Sequence, residues 1–278
     1  MTQWRPLASR EHLLKRAELL RQTREFFYQR DVVEVQTPLL GQGTVTDPDV
    51  ESLAVPSVGY LQTSPEYFIK RLLAAGMPSC YQLAGAFRAG EQGRLHNPEF
   101  TMLEWYRLDF DHQQLMAEVA QLVDALLGPG DYATRSYASL VADVNAPREQ
   151  LDLEFATACA QTTGRVFIVD YPASQAALAR LNPADTDTSA RFELVIDGVE
   201  IANGYWELLD VAEHRARFKR DLAVRQARGL AARPVDEAFL AAIEHGLPAC
   251  AGVALGFDRL VMRALGVDDI ESVLAFRY

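Results

Sequence analysis

Cysteine is scarce in this 278-residue sequence: Cys80, Cys159 and Cys250 lie far apart, with no Cys-x-x-Cys pair. That spacing suggests neither a disulfide framework nor a zinc site, and buried free thiols are the default expectation. Long apolar runs are missing too. None approaches the roughly 20 residues of a membrane-spanning helix, and the opening MTQWRPLASREH lacks a signal-peptide apolar core. A cytoplasmic protein without membrane contact is expected. Positive charge is also in short supply. Against 38 Asp and Glu stand 27 Lys and Arg, for a formal net charge of −11 and a pI near 5.0. A broad, sequence-independent grip on nucleic acid depends on neutralising phosphates, and this balance argues against one. Internal repeats, low-complexity tracts and charged tails are absent. Apolar material is plentiful: at 49% hydrophobic residues the chain can bury a sizeable core, in one large domain or two small ones.

Apolar periodicity divides the chain. Leu13, Ala17, Leu20 and Phe27 share one face of a helix from Ser9, its N-cap, to about Gln29. Val32-Val33-Glu34-Val35 begins a strand that closes on Thr37-Pro38, where the proline has no N–H to donate. Residues 41–60 are rich in Gly, Thr, Asp and Pro and predict a loop followed by short strands. Leu61–Tyr67 (LQTSPEY) turns from strand into helix, with Ser64 as N-cap and Pro65 at the first helical position. Further along, the spacing predicts a helix over Asp111–Leu127, a small and mostly helical insertion over about 131–165, and a strand over Val166–Val169. Two strands joined by Asp197-Gly198 follow, then a helix from about Ala212 to Arg228 and another after Pro234. Hairpin and helical connections are mixed, so the expected fold is α+β, a mainly antiparallel sheet flanked by helices.

Two strings carry chemistry. In Phe87–Arg107 (FRAGEQGRLHNPEFTMLEWYR), Arg88 follows the apolar run of Tyr81, Leu83, Ala86 and Phe87. A loop holding Gly90, Gln92 and Gly93 comes next, and His96-Asn97-Pro98-Glu99-Phe100 leads into a second strand. An arginine at a strand tip can fork onto a phosphate through two charge-assisted hydrogen bonds, and Phe100 offers a flat face to a base. Taken alone, the pattern is that of an ordinary solvated hairpin. Near the C-terminus, Ala251–Met262 (AGVALGFDRLVM) runs a glycine-rich strand into a helix opened by Arg259. Glycine suits a point where a ligand approaches the backbone, because a Cβ would collide with it.

In this order, and roughly 150 residues apart, the two strings closely resemble motifs 2 and 3 of the class II aminoacyl-tRNA synthetases, specifically the lysyl branch. The helix, strand and Pro38 ahead of them resemble motif 1, which forms the dimer interface in that family, so the resemblance implies a homodimer. It also implies a class II catalytic domain over residues 1–278, with motif 1 at about 20–40, motif 2 at about 81–107 and motif 3 at about 250–266. Arg88 and Arg259 are thereby placed at the phosphates as catalytic groups. Ala89, Gly90, Glu91, His96, Asn97, Phe100, Glu200, Ile201 and Gly256 are placed with them around ATP. One departure stands out. Synthetases show Arg-x-Glu in motif 2, whereas Arg88-Ala89-Gly90-Glu91 sets the glutamate one place later, with Gly90 free to let the loop deliver it to a similar location.

Asp197-Gly198 is a strong signal for a two-residue type I′ turn. In regular pairing it sets Ile196 opposite Val199, Val195 opposite Glu200, and Glu193 opposite Ala202. Glu193 and Glu200 become diagonal neighbours on one side of the sheet. Two such carboxylates repel unless a cation or proton lies between them. A Mg²⁺ bound with ATP, which prefers one or two carboxylates plus phosphate oxygens, would serve. On the hairpin alone a solvated acidic edge is the readier explanation; the resemblance implies that both glutamates hold magnesium. Asn203-Gly204-Tyr205-Trp206-Glu207 resembles the ammonium-binding segment of the lysyl branch, and Ser64, Pro65, Glu66, Glu104, Tyr106, Asn203, Glu207 and Ala254 fall at substrate positions. A diamino acid brings two ammonium groups into a closed pocket, and each needs a carboxylate to offset its desolvation. The resemblance assigns Glu207 and Tyr106 to the distal amine and Glu66 to the amine nearer the carboxylate; without it, Tyr106 reads as a core aromatic.

Bacterial lysyl-tRNA synthetases carry an anticodon-binding OB domain ahead of motif 1. Here motif 1 begins within about 25 residues of Met1, too few for a barrel of several strands. No other segment is basic and aromatic enough to replace it. The sequence therefore resembles the stand-alone lysyl-tRNA synthetase paralogues that ligate (R)-β-lysine to a lysine of elongation factor P. Gly93–Arg107, Thr63–Tyr67, Tyr171–Ala179 (YPASQAALA) and Gly252–Met262 are the most specific pieces. Ala254 stands where the tRNA synthetases have glycine and those paralogues have alanine. A methyl-sized change is worth about 1–3 kcal/mol of discrimination, although neutral drift at a buried small residue remains the competing account. The implied activity is an ATP-dependent, AMP-forming ligation of (R)-β-lysine to elongation factor P, without stable tRNA or DNA binding. Two other readings stay open: a minimal lysine-activating enzyme that still charges tRNA, and a non-catalytic regulatory subunit. Arg88, Glu193, Glu200 and Arg259 are all present, which weighs against the latter.

Overall fold

The computed structural model describes residues 4–277. Helix α1 (Arg10–Tyr28) starts where the Ser9 hydroxyl accepts a hydrogen bond from the His12 N–H at 3.1 Å, and it buries Leu19, Phe26 and Phe27. Four short strands follow: β1 (Val33–Glu34), β2 (Leu40–Gly41), β3 (Ala54–Val55) and β4 (Gly59–Leu61). Helix α2 (Glu66–Ala74) begins one residue later than the sequence predicts, with Pro65 as the capping residue. The Ser64 hydroxyl accepts from the Glu66 N–H at 3.1 Å and donates to Glu104 Oε2 at 2.6 Å, so it is shared between the helix start and a buried carboxylate. Strands β5 (Cys80–Phe87) and β6 (Glu99–Leu108) flank the motif 2 loop. Helix α3 (His112–Leu127) opens on a reciprocal capping box between Asp111 and Gln114.

The 131–165 segment holds a strand as well as the expected helix. Strand β7 (Tyr132–Ser136) precedes α4 (Arg148–Ala160) and pairs in parallel with β8 (Arg165–Pro172), Tyr132 opposite Arg165. Its sequence, Tyr-Ala-Thr-Arg-Ser, has the polar composition of a sheet edge, and no apolar alternation announces it. The remaining elements are β9 (Leu181–Asn182), β10 (Asp185–Ile196), β11 (Val199–Trp206), α5 (Val211–Ala227), α6 (Glu237–Gly246), β12 (Cys250–Gly256) and α7 (Phe257–Leu265). This is the expected α+β class.

Two compact units share the chain. The first takes Met1–Trp105, Leu209–Pro248 and Gly256–Tyr278. In it β1, β5 and β6 lie in that order, with β1 parallel to β5, and β2, β4 and β3 form a separate antiparallel sheet. Phe27 stacks on Tyr81 with ring centroids 4.3 Å apart, and Tyr67 of α2 stacks on Phe239 of α6 at 4.2 Å. Asp258 ties three elements together. Its Oδ1 lies 2.6 Å from Arg16 of α1, and its Oδ2 accepts the Thr101 N–H of β6 at 2.8 Å. Removing one member of so buried a pair typically costs about 3–5 kcal/mol. The contact fixes the first turn of α7, where Arg259 is the next residue.

The second unit takes Tyr106–Leu208 and Ala249–Leu255. Its strands run β12-β11-β10-β8-β7, with β9 on β10, and every pair is antiparallel except β7 with β8. Tyr137, Leu151, Val166, Ile168, Tyr171 and Val195 form a core cluster beneath α4. At the β10–β11 turn Asp197 and Gly198 take φ of 46° and 78°, the two positive values a type I′ turn needs. Pairing is as expected for Ile196 with Val199 and Val195 with Glu200, but then slips. Leu194 faces Ala202 and Glu193 faces Asn203, not Ala202, because β11 carries one extra residue at a β-bulge. Among the described residues no helix is long and apolar enough to cross a membrane, and all three cysteines are free thiols.

Candidate active site

In the first unit, Arg88 sits at the end of β5. Its Nε donates to the Thr63 carbonyl at 3.4 Å, and its guanidinium lies over the Phe100 ring at 5.2 Å. Gly90 adopts φ 79°, and the turn it permits brings Glu91 back to 3.5 Å from Arg88. Ala89 is anchored through its N–H to the Glu51 carbonyl at 2.7 Å. Asn97 is buried; its amide nitrogen donates to the Glu99 carbonyl at 2.6 Å, while its Oδ1 has no hydrogen-bond partner among the described residues. Arg259 donates through Nη2 to His96 Nε2 at 2.7 Å, and its Nε reaches the Leu95 carbonyl at 3.5 Å. Arginine has no acceptor, so His96 Nε2 accepts and the ring proton is on Nδ1. A Cβ at Gly256 would meet nothing nearer than the Arg259 side chain at 3.6 Å. Two arginines held by backbone carbonyls, an aromatic face and a buried acceptor make a set suited to a nucleoside triphosphate.

The carboxylates of this unit are also engaged. Glu66 Oε1 receives the ammonium of Lys70 at 2.5 Å, and Lys70 is fully buried. Glu104, 2% exposed, accepts from Ser64. Sequence reasoning missed Lys70, although a lysine four residues after a glutamate at a helix start is a legible pair.

In the second unit the bulge decides which side chains face together. Residues opposite each other in an antiparallel ladder share a face. Glu193 with Asn203, Val195 with Glu200, and Arg191 with Tyr205 therefore all point to one side. Continuing across β11, Asn203 is opposite Ala254 and Tyr205 opposite Gly252 on β12, which adds both to that side. Ile201 is 1% exposed and serves the core with its side chain. Burial, with the Glu200 carboxylate next in weight and Arg191 opposing, pushes the Glu193 carboxyl up to about 7. Arg191 Nη2 lies 2.7 Å from Glu193 Oε1, and Asn203 Nδ2 lies 3.4 Å from the same oxygen. Asn203 Oδ1 has no hydrogen-bond partner among the described residues. No cluster of three or more metal-ligating side chains occurs among the described residues. Two carboxylates, of which Glu193 is buried and raised by Glu200, suit an ion that takes its remaining ligands from phosphate and water.

Arg191 was also missed, though it stands two residues before Glu193 and so on its face. Its guanidinium lies over Tyr171 at 4.3 Å and donates to the Gln175 carbonyl at 2.9 Å. The Tyr171–Ala179 string thereby holds the arginine that holds Glu193.

Glu207 and Tyr106 are 0% and 2% exposed. The Glu207 backbone is fixed from both sides: its N–H donates to the Cys250 carbonyl at 3.1 Å, and its carbonyl accepts Arg180 Nε at 3.0 Å. Arg180 also lies over Trp206 at 4.2 Å. A buried carboxylate beside a buried phenol is a site for a cation that brings its own N–H donors.

Over residues 1–277 the chain matches the family described as tRNA synthetases class II (D, K and N). It is 45% identical over 316 aligned positions to the elongation factor P–(R)-β-lysine ligase of Vibrio cholerae serotype O1, covering 99% of this chain and 98% of that protein. With the proteins of the same name from Vibrio vulnificus and Photorhabdus laumondii, identity is 42% over 316 and 43% over 314 positions. Those alignments cover 99% and 98% of this chain, and 98% and 97% of the relatives. The chain belongs to the class II tRNA synthetase family, in the group of the elongation factor P–(R)-β-lysine ligases.

Proposed function

We propose that this protein activates (R)-β-lysine with ATP and transfers the β-lysyl group to a lysine of elongation factor P. The observation that carries the proposal is identity of 41–45% over 99–100% of the chain to proteins named for that activity. In the first step a substrate carboxylate oxygen attacks the α-phosphorus, the bond to the bridging oxygen breaks, and pyrophosphate leaves from a β-lysyl-adenylate. In the second, the acceptor amine attacks the acyl carbon and AMP leaves. Arg88 and Arg259 hold the phosphates and neutralise charge as it shifts onto the leaving group. Phe100 stacks on the base, and Asn97 offers its buried acceptor. Glu193 and Glu200 would hold a Mg²⁺, which when bound supplies positive charge to the phosphate oxygens. Glu207 and Tyr106 receive the distal ammonium. Glu66, oriented by Lys70, takes the amine nearer the carboxylate, with Ser64 and Glu104 beside it in the first unit, and Asn203 is a substrate group of the second. The work is positioning and charge neutralisation, without a covalent enzyme intermediate.

The protein acts in the cytoplasm, and as a homodimer. Leu14, Tyr28, Val33, Leu39 and Leu40 are exposed apolar side chains along α1, β1 and the segment after it, the region that resembles motif 1. Sedimentation velocity should give a species of twice the 30.9 kDa chain mass, converted toward monomer by Val33→Asp with Leu40→Asp. A monomeric wild-type protein would contradict it.

Arg88→Ala and Arg259→Ala should each lower ATP–pyrophosphate exchange on the order of 100-fold or more, with little change in thermal unfolding. Rates near wild type in either variant would remove that arginine from the phosphate site. Incubation with ATP, (R)-β-lysine and elongation factor P should add one β-lysyl group to the factor by mass spectrometry, and tRNA should stay uncharged, in keeping with the net charge of −11. An unmodified factor beside charged tRNA would transfer the activity to tRNA.

Ala254 faces Asn203 across β12 and β11. Removing its methyl should open room for an α-amine. Ala254→Gly is expected to raise kcat/KM for α-lysine relative to (R)-β-lysine roughly tenfold. An unchanged preference would make Ala254 a packing residue.

A further inference from the structure

Gly252 lies two residues before Ala254 on the same face of β12, opposite Tyr205. Its backbone is not in the left-handed region, unlike Gly90 or Gly198, so glycine is not there for conformation. Space is what it supplies. A Cβ at Gly252 would lie 2.2 and 2.5 Å from Cε1 and Cδ1 of Tyr106 and 2.6 Å from Glu207 Oε1. No real carbon sits that close to its neighbours. The ring and the carboxylate therefore rest directly on the bare strand, as deep as the backbone allows. Glycine inside a strand weakens it, and often marks such a close approach.

We propose that Gly252 sets the depth of the distal-ammonium pocket and so the chain length of the diamino acid that the enzyme accepts. This rests on the assignment of Glu207 and Tyr106 to that ammonium. Glu207 cannot retreat as a whole, because Cys250 holds its N–H and Arg180 its carbonyl. A methyl group at position 252 would instead lift the carboxylate and the ring off β12, toward the incoming ammonium. The pocket becomes shallower by about one methyl group, a change on the scale of one methylene of substrate, and a diamino acid one methylene shorter should then fit better. Ala254 bears on where the nearer amine lies; Gly252 fixes how far away the distal one is bound.

The test compares Gly252→Ala with wild type in ATP–pyrophosphate exchange, using (R)-3,6-diaminohexanoate and its homologue shorter by one methylene, (R)-3,5-diaminopentanoate. The ratio of kcat/KM for the long over the short substrate should fall tenfold or more, the usual scale for one methylene in a fitted pocket, while KM for ATP moves less than twofold. A ratio that stays put, whether both rates are intact or equally reduced, overturns the proposal. So does a wild-type enzyme that activates neither substrate, which would also remove the assignment of Glu207 and Tyr106. Should Gly252→Ala fail to fold, Gly252→Ala with Tyr106→Ala removes the colliding ring. Recovered folding supports the close approach; a double variant that stays unfolded overturns it.

Discussion

One extra residue in β11 governs the arrangement of the second unit. Side chains alternate along a strand, so Glu200 and Asn203, three apart, belong on opposite faces of a regular ladder. The bulge places them on the same one. In unbroken pairing Glu193 and Glu200 would still meet, but Asn203, Tyr205 and Glu207 would turn to the other side of the sheet. With the bulge, the acidic pair shares a face with Asn203 and Tyr205, and Gly252 and Ala254 of β12 join them. Bulges concentrate beside active sites because they re-aim side chains in this way. In the first unit Asp258 has the comparable role, holding α7 to α1 and β6 immediately before Arg259.

Burial of acidic groups recurs in each of the two units. Glu66, Glu104, Glu193 and Glu207 are all largely or wholly withdrawn from water. Each has a neighbour that steadies it: Lys70, one turn along the same helix, for Glu66, Ser64 for Glu104, Arg191, two residues away on the same strand, for Glu193, and Arg180 on the backbone of Glu207. Lys70 and Arg191 offset part of the desolvation cost of the carboxylates they pair with, and Ser64 orients Glu104. A doubly cationic substrate adds charge of the sign that the pocket favours. Burial and Glu200 raise the Glu193 carboxyl to about 7, against the pull of Arg191, the direction in which a proton or a cation is favoured there.

Much of this was legible in the sequence. Ser9 and Asp197-Gly198 announce local structure through their own chemistry, and each does in the fold what its type implies. The two strings around Arg88 and Arg259 were legible because a phosphate site needs particular residues at fixed spacings. The bulge was not. It leaves composition and spacing untouched and follows from how β11 is paired on both sides. Strand β7 was hidden because an edge strand with polar residues lacks alternation. Ser64 still accepts the Glu66 N–H at the start of α2, but its second bond, to Glu104 forty residues away, has no local signal. Gly252 carries no local signal of its role, because the space beside it is filled by Tyr106 and Glu207, a contact only the folded strands reveal.

ATP–pyrophosphate exchange with (R)-β-lysine, with α-lysine and with no amino acid tests the central claim most directly. The proposed recognition of the two ammonium groups of (R)-β-lysine predicts exchange that depends on added amino acid and is fastest with (R)-β-lysine. Exchange that is faster with α-lysine, or that appears with no amino acid, would contradict it.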